Sequence, residues 1–147
     1  MAYGKLVNQY KRSNIETAGK LDLIIMCYER AIQLLTQIKG YIRGKEVEKK
    51  VYKFKKVLDI INELQGALDM EKGGEIARNL DSLYSYMTKR LLVGDIRKDE
   101  SAYDEAIRIL SELNEAWHSI QNEQEPRETA YGKRDLSETY NPRLTAF

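Results

Sequence analysis

Residues that interrupt helices or build covalent and metal frameworks are scarce in this chain. Both prolines, Pro126 and Pro142, fall near the end of its 147 residues, and positions 1–125 carry none. Proline breaks helices more strongly than any other residue, so that stretch is free to be helical throughout. A single cysteine, Cys27, excludes a disulfide framework within the chain and a cysteine-rich zinc module. A single histidine, His118, argues against a histidine-rich metal site. An excess of either charge is missing too: 24 Lys and Arg face 23 Asp and Glu. The resulting net charge of +1 argues against a protein built to coat nucleic acid or an anionic membrane. The longest apolar run, Leu23 to Tyr28, has six residues, where a bilayer span needs about 20. Met1 to Tyr10 lacks the charged, apolar and cleavage regions of a signal peptide. These absences predict a soluble, intracellular and unprocessed protein, long enough for one domain with a single core.

What is present is helical rhythm. Val47, Val51, Phe54, Leu58, Ile61, Leu64 and Leu68 recur at steps of three and four, which puts them on one stripe of a helix. Ile76, Leu80, Leu83, Met87 and Leu91 repeat the pattern, and Tyr103, Ala106, Leu110, Leu113, Trp117 and Ile120 repeat it again. Each stripe is narrow, as in a helix packed in a bundle. The first helix differs. Ile24, Tyr28, Ala31, Leu35 and Ile38 form its seam, but Leu21, Leu23, Ile25, Met26, Cys27, Ile32 and Leu34 spread apolar surface beyond it. Such a helix packs centrally or covers an extra partner.

Glycines mark the expected breaks: Gly40 and Gly44, then Gly73-Gly74, then Gly94-Asp95. Asp99 or Ser101 is the expected cap of the last helix. The fold predicted is all-α, an antiparallel up-down-up-down four-helix bundle, because short links make neighbouring helices antiparallel. An N-terminal arm spans 1–18, the bundle 19–122 with helices at about 19–42, 46–70, 74–93 and 100–122, and a flexible tail 123–147. Tyr131, Leu136, Tyr140, Leu144 and Phe147 give that tail more apolar anchors than a linker requires.

Catalytic constellations do not assemble. Glu115-Ala-Trp-His118 is a Glu-x-x-His motif, but a di-iron bundle needs two of these, and one histidine cannot supply the second. Cys27 lies inside the apolar run without an evident basic partner, and reads as a small buried residue rather than a nucleophile. Gly73-Gly74 lacks the strand before it and the Gly-Lys-Ser/Thr after it that a phosphate loop requires. Lys49, Lys50, Lys53 and Lys56 share one face, which reads as a solvated helix surface rather than a nucleic-acid site. No catalytic residue, metal or cofactor is expected. The surplus apolar surface instead predicts a helical binding protein, since grooves between helices accept amphipathic client helices.

The same residues carry a family resemblance. Tyr10, Ile15, Thr17-Ala18 and Met26-Cys27-Tyr28-Glu29-Arg30-Ala31-Ile32 open it, and Ile60-Ile61-Asn62-Glu63-Leu64, Leu68-Asp69 and Gly73-Gly74-Glu75-Ile76-Ala77 continue it. Asn79-Leu80, Leu83-Tyr84-Ser85-Tyr86-Met87, Leu110, Leu113 and Ala116-Trp117 follow in order. This series resembles the flagellar secretion chaperone family FliS. Gly19-Lys20 stands where the family usually has Ser-Pro, and Cys27 where it has Leu.

The resemblance implies a non-enzymatic, cytoplasmic export chaperone. Its client would be the disordered C-terminal segment of flagellin, held from premature polymerisation and delivered to components of the flagellar type III export apparatus. It also implies an N-terminal arm covering part of the groove, here Val7 and Tyr10 with Ile15 at its root. Leu23, Met26, Leu80, Tyr84 and Met87 are inferred to add groove surface. Open grooves would also allow self-association without client, and neither nucleic acid nor membrane insertion is implied. The alternative is a helical adaptor that uses the same grooves for a different amphipathic partner.

Overall fold

The computed structural model describes residues 17–124 together with 146 and 147. The arm residues Val7, Tyr10 and Ile15 lie outside the described residues, as does most of the tail. Among the described residues there are four helices: α1 (Thr17–Arg43), α2 (Val47–Gly66), α3 (Gly74–Arg97) and α4 (Glu100–Gln124). Short links make each helix reverse on the last. Every helix packs on its sequence neighbours, and α1 also packs on α4, which closes the ring. This is the predicted four-helix bundle.

The apolar excess of α1 has a structural outlet. Leu21, Ile24, Ile25, Cys27, Tyr28, Ala31, Leu34, Leu35 and Ile38 are all buried in the common core, where α1 meets both α2 and α4 over the most extensive contacts in the fold. A helix clasped from two sides needs a wide apolar face, and burying each large side chain contributes roughly 1.5–3 kcal/mol. The contact between α2 and α3 is the slightest of the four.

Two boundaries differ from the glycine positions. α2 stops at Gly66, because Asp69 organises the link to α3: its side chain accepts hydrogen bonds from the Glu71 and Lys72 amides at 3.1 and 2.9 Å. An Asx turn of this kind satisfies backbone donors outside a helix. α3, in contrast, runs through Gly94 to Arg97 and ends on Lys98, in the left-handed region at φ 55°. Gly94 is helical and buried, and its carbonyl accepts the Asp99 amide at 2.8 Å. Its role is close packing, since a Cβ there would sit 2.2 Å from the Ala102 methyl carbon. Asp99 caps α4, its Oδ1 accepting the Ser101 amide at 3.0 Å.

Ion pairs bridge neighbouring helices, those at the surface contributing about 0–1 kcal/mol each. Lys50 meets Asp95 across α2 and α3 at 2.8 Å, and Arg90 meets Glu105 across α3 and α4 at 2.9 Å. His118 faces Glu29 of α1 at 3.2 Å, half exposed, and is a surface contact between helices. Among the described residues no cluster of His, Cys, Asp or Glu could hold a metal ion, and no helix is long and apolar enough to cross a membrane.

Candidate client-binding surface

The residues inferred to line a groove separate sharply by position. Leu23, Leu80, Tyr84 and Met87 are buried, whereas Met26 on the outer side of α1 is 55% exposed. Leu80, Tyr84 and Met87 belong to the buried core cluster in this structure. The reason is the register of α3. Its buried stripe is Ala77, Leu80, Tyr84, Met87, Leu91 and Gly94, an inward seam at alternating steps of three and four.

Tyr84 is held in that seam by a second tyrosine. Its hydroxyl hydrogen-bonds the hydroxyl of Tyr28, both rings being fully buried. Burial pushes the Tyr28 phenol up to about 12, partly opposed by the hydrogen bond from Tyr84 and by the nearby Trp117 indole N–H. That N–H falls short of hydrogen-bond geometry. Burial likewise raises Tyr84 well above its ordinary value, so the pair is neutral at pH 7. Removing one hydroxyl strands the other in the core. Tyr28→Phe or Tyr84→Phe should each cost about 1–3 kcal/mol, while the double variant should lie nearer the native stability than either single one. Urea unfolding of all four chains measures the coupling; additive losses would mean that the hydroxyls do not depend on each other.

Cys27 is also buried, and burial followed by the charge of Glu63 raises its thiol to about 11. A thiol so far above neutrality is not a nucleophile at pH 7.

The open surface lies instead along the weak α2–α3 contact. Asn62 and Gln65 of α2 and Ser85, Thr88, Lys89, Leu92 and Val93 of α3 line a groove of about 370 Å³. Gln65 Nε2 spans it, donating to Asp81 Oδ1 at 2.9 Å and Ser85 Oγ at 2.8 Å. Thr88 Oγ1 is buried there without a hydrogen-bond partner. Further along α3, Ile96 is 81% exposed, one turn beyond the exposed Leu92. On α2, Val47 and Val51 are exposed as well. The sequence reading placed these two valines in the seam, but the core of α2 begins only at Phe54. The signal for Leu92 and Ile96 lay in their phase: both fall off the Ile76-to-Leu91 seam while remaining apolar.

A second cavity, of about 400 Å³, opens where the α1–α2 and α3–α4 links come together. Tyr41, Ile42, Val47 and Tyr103 supply its apolar wall, and Lys45, Lys50, Asp95 and Lys98 its polar one. Tyr103 donates to Asp95 Oδ1 at 2.7 Å, the oxygen that Lys50 also contacts. These groups are already satisfied by one another, and nothing in the arrangement performs chemistry. The basic stripe on α2 is used similarly: Lys49 pairs with Glu46, and the Lys56 ammonium lies 4.5 Å from the centre of the Tyr52 ring.

A family model described as flagellar protein FliS matches residues 3–124. The flagellar secretion chaperone FliS of Salmonella typhimurium is 38% identical over 109 residues, covering 74% of this chain and 81% of that protein. The flagellar secretion chaperone FliSB of Pseudomonas aeruginosa is 34% identical over 120 residues, covering 79% and 95%. The corresponding FliS of Campylobacter jejuni is 32% identical over 115 residues, covering 78% and 90%. With a family model matching residues 3–124 and these relatives, the chain belongs to the FliS family, a family of flagellar chaperones and not of enzymes.

Proposed function

We propose that this protein is a cytoplasmic export chaperone that holds the C-terminal segment of flagellin and aids its delivery to the flagellar type III export apparatus. The observation that supports this reading most is the line of apolar side chains left uncovered beside the α2–α3 groove, Leu92 and Ile96 above all. An amphipathic segment laid along the groove would bury them and offer a polar group to Thr88 Oγ1. The client would order as it binds, so part of the interaction energy is lost to entropy. The exposed Met26 on α1 and the arm residues Val7, Tyr10 and Ile15 are proposed as further client contacts.

Calorimetric titration with a flagellin C-terminal peptide tests this. The native chain should bind, and Leu92→Glu/Ile96→Glu should weaken binding by about tenfold or more with little change in Tm, since both residues are exposed. Tyr10→Ala should also weaken binding at nearly constant Tm. Absence of any complex with the native chain would overturn the flagellin reading in favour of a helical adaptor for another partner.

A further inference from the structure

The end of the bundle where α2 gives way to α3 is already occupied by a peptide. Ala146 and Phe147, the last two residues of the sequence, are buried there against Asp69, Gly73 and Trp117, which are far from them in sequence. The Phe147 ring stands edge-on to Trp117 of α4, centroids 5.5 Å apart at 68°, and Trp117 in turn stacks on Tyr28 of α1. Both main-chain oxygens are taken: the Asp69 amide donates to that of Ala146 at 2.8 Å, and the Lys20 ammonium donates to that of Phe147. The fit is tight at Gly73, where a Cβ would come within 2.8 Å of the Ala146 Cα.

Both residues join the buried cluster of the bundle, but they enter it from outside the four helices, as a docked peptide would. One main-chain amide and one lysine ammonium hold the two main-chain oxygens, a pocket beside Trp117 takes the ring, and the residue before it is a fully buried alanine. Lys20, Asp69, Gly73 and Trp117, which build this site, lie within the family match, whereas the occupant lies beyond residue 124, where that match ends. The framework thus lies inside the family match and the plug outside it.

We propose that this end of the bundle is a binding site for a small residue followed by a large aromatic or apolar one, and that Ala146-Phe147 fills it in the resting chain as a displaceable competitor of the client. The competition rests on the client reading above; the site itself does not. Two main-chain contacts and one ring are few for a segment that must leave, yet tethering to the same chain raises its effective concentration. A client segment that enters this end must first expel it.

Trp117, the sole tryptophan, reports directly on the site. A synthetic peptide with the sequence of residues 138–147, amidated after its Phe, is titrated into full-length Phe147→Ala and into the native chain, reading Trp117 fluorescence. Saturable binding to Phe147→Ala, weaker by about tenfold or more in the native chain whose site is filled, is the expected result. No saturable change, or equal affinity for both, would overturn the site. If circular dichroism shows Phe147→Ala unfolded, Phe147 is a core residue and the proposal falls. With the flagellin peptide, Phe147→Ala should bind several-fold more tightly than the native chain, and equal affinities would overturn the competition. If neither chain binds that peptide, the client reading fails, while the decapeptide titration still decides the site.

Discussion

Trp117→Ala should be about 3–5 kcal/mol less stable than the native chain, the range for deleting a buried indole whose surroundings close only in part. Trp117 is 4% exposed and is packed on both sides, with Tyr28 stacked on it at 23° and Phe147 edge-on. The helices α1 and α4 meet through it, so collapse into the vacated space would require moving Tyr28, whose hydroxyl is committed to Tyr84. For a chain of this length the loss corresponds to a Tm lower by about 10–20 °C. Circular dichroism in urea must read it, because the variant has no tryptophan left. Trp117→Phe should lose distinctly less, since a ring remains to meet Tyr28. A loss below about 1 kcal/mol for Trp117→Ala would mean that this end of the bundle opens independently of the rest.

Which parts of the fold the residues announce depends on how strongly each position declares itself apolar. The seam of α1 is found where hydropathy puts it, with Ile24, Tyr28, Ala31, Leu35 and Ile38 all buried. The seam of α3 is shifted by one residue at two places, since Ala77 and Tyr84 are buried while Ile76 and Leu83 are only partly so. Alanine and tyrosine are weak hydropathy signals, yet one permits close approach and the other finds a buried hydroxyl partner, so packing overrides hydropathy there. Asn114 shows the same limit in α4: it is buried beside the Leu110 to Trp117 seam although its residue type predicts exposure. The candidate client surface is less legible than the fold. Tyr84 and Met87 satisfy the pattern of a core and that of a groove equally well, and only the packed structure separates them. Leu92 and Ile96 could have been found from their phase alone. The docking of Phe147 on Trp117 depends on a contact between residues 30 apart in sequence, which no local pattern encodes.

Gly94 carries the other large effect, and its sign runs against helix propensity. A glycine inside a helix is worth about 1 kcal/mol less than alanine, so Gly94→Ala would be stabilising if propensity decided the matter. Here the added methyl would sit 2.2 Å from the Ala102 Cβ, far inside the roughly 3.5–4.0 Å at which carbons make favourable contact. The Ala102 methyl sits on a rigid helix and cannot swing aside, so α3 and α4 must separate. That separation strains the hydrogen bond from the Asp99 amide to the Gly94 carbonyl that shapes the link between them. Overpacking of this kind costs about 1–3 kcal/mol for small additions and more for larger ones. Gly94→Ala should therefore be less stable than the native chain, and Gly94→Val, which adds two further methyls at the same contact, should lose about 3 kcal/mol or more. Moving the methyl across the interface provides the control. Ala102→Gly alone should cost about 1 kcal/mol, but Gly94→Ala/Ala102→Gly should be more stable than the two single losses summed, because each substitution vacates what the other fills. A Gly94→Ala chain at least as stable as the native one in urea would show that α3 and α4 are not pressed together at this point, and would return Gly94 to the role of an ordinary helix-end glycine.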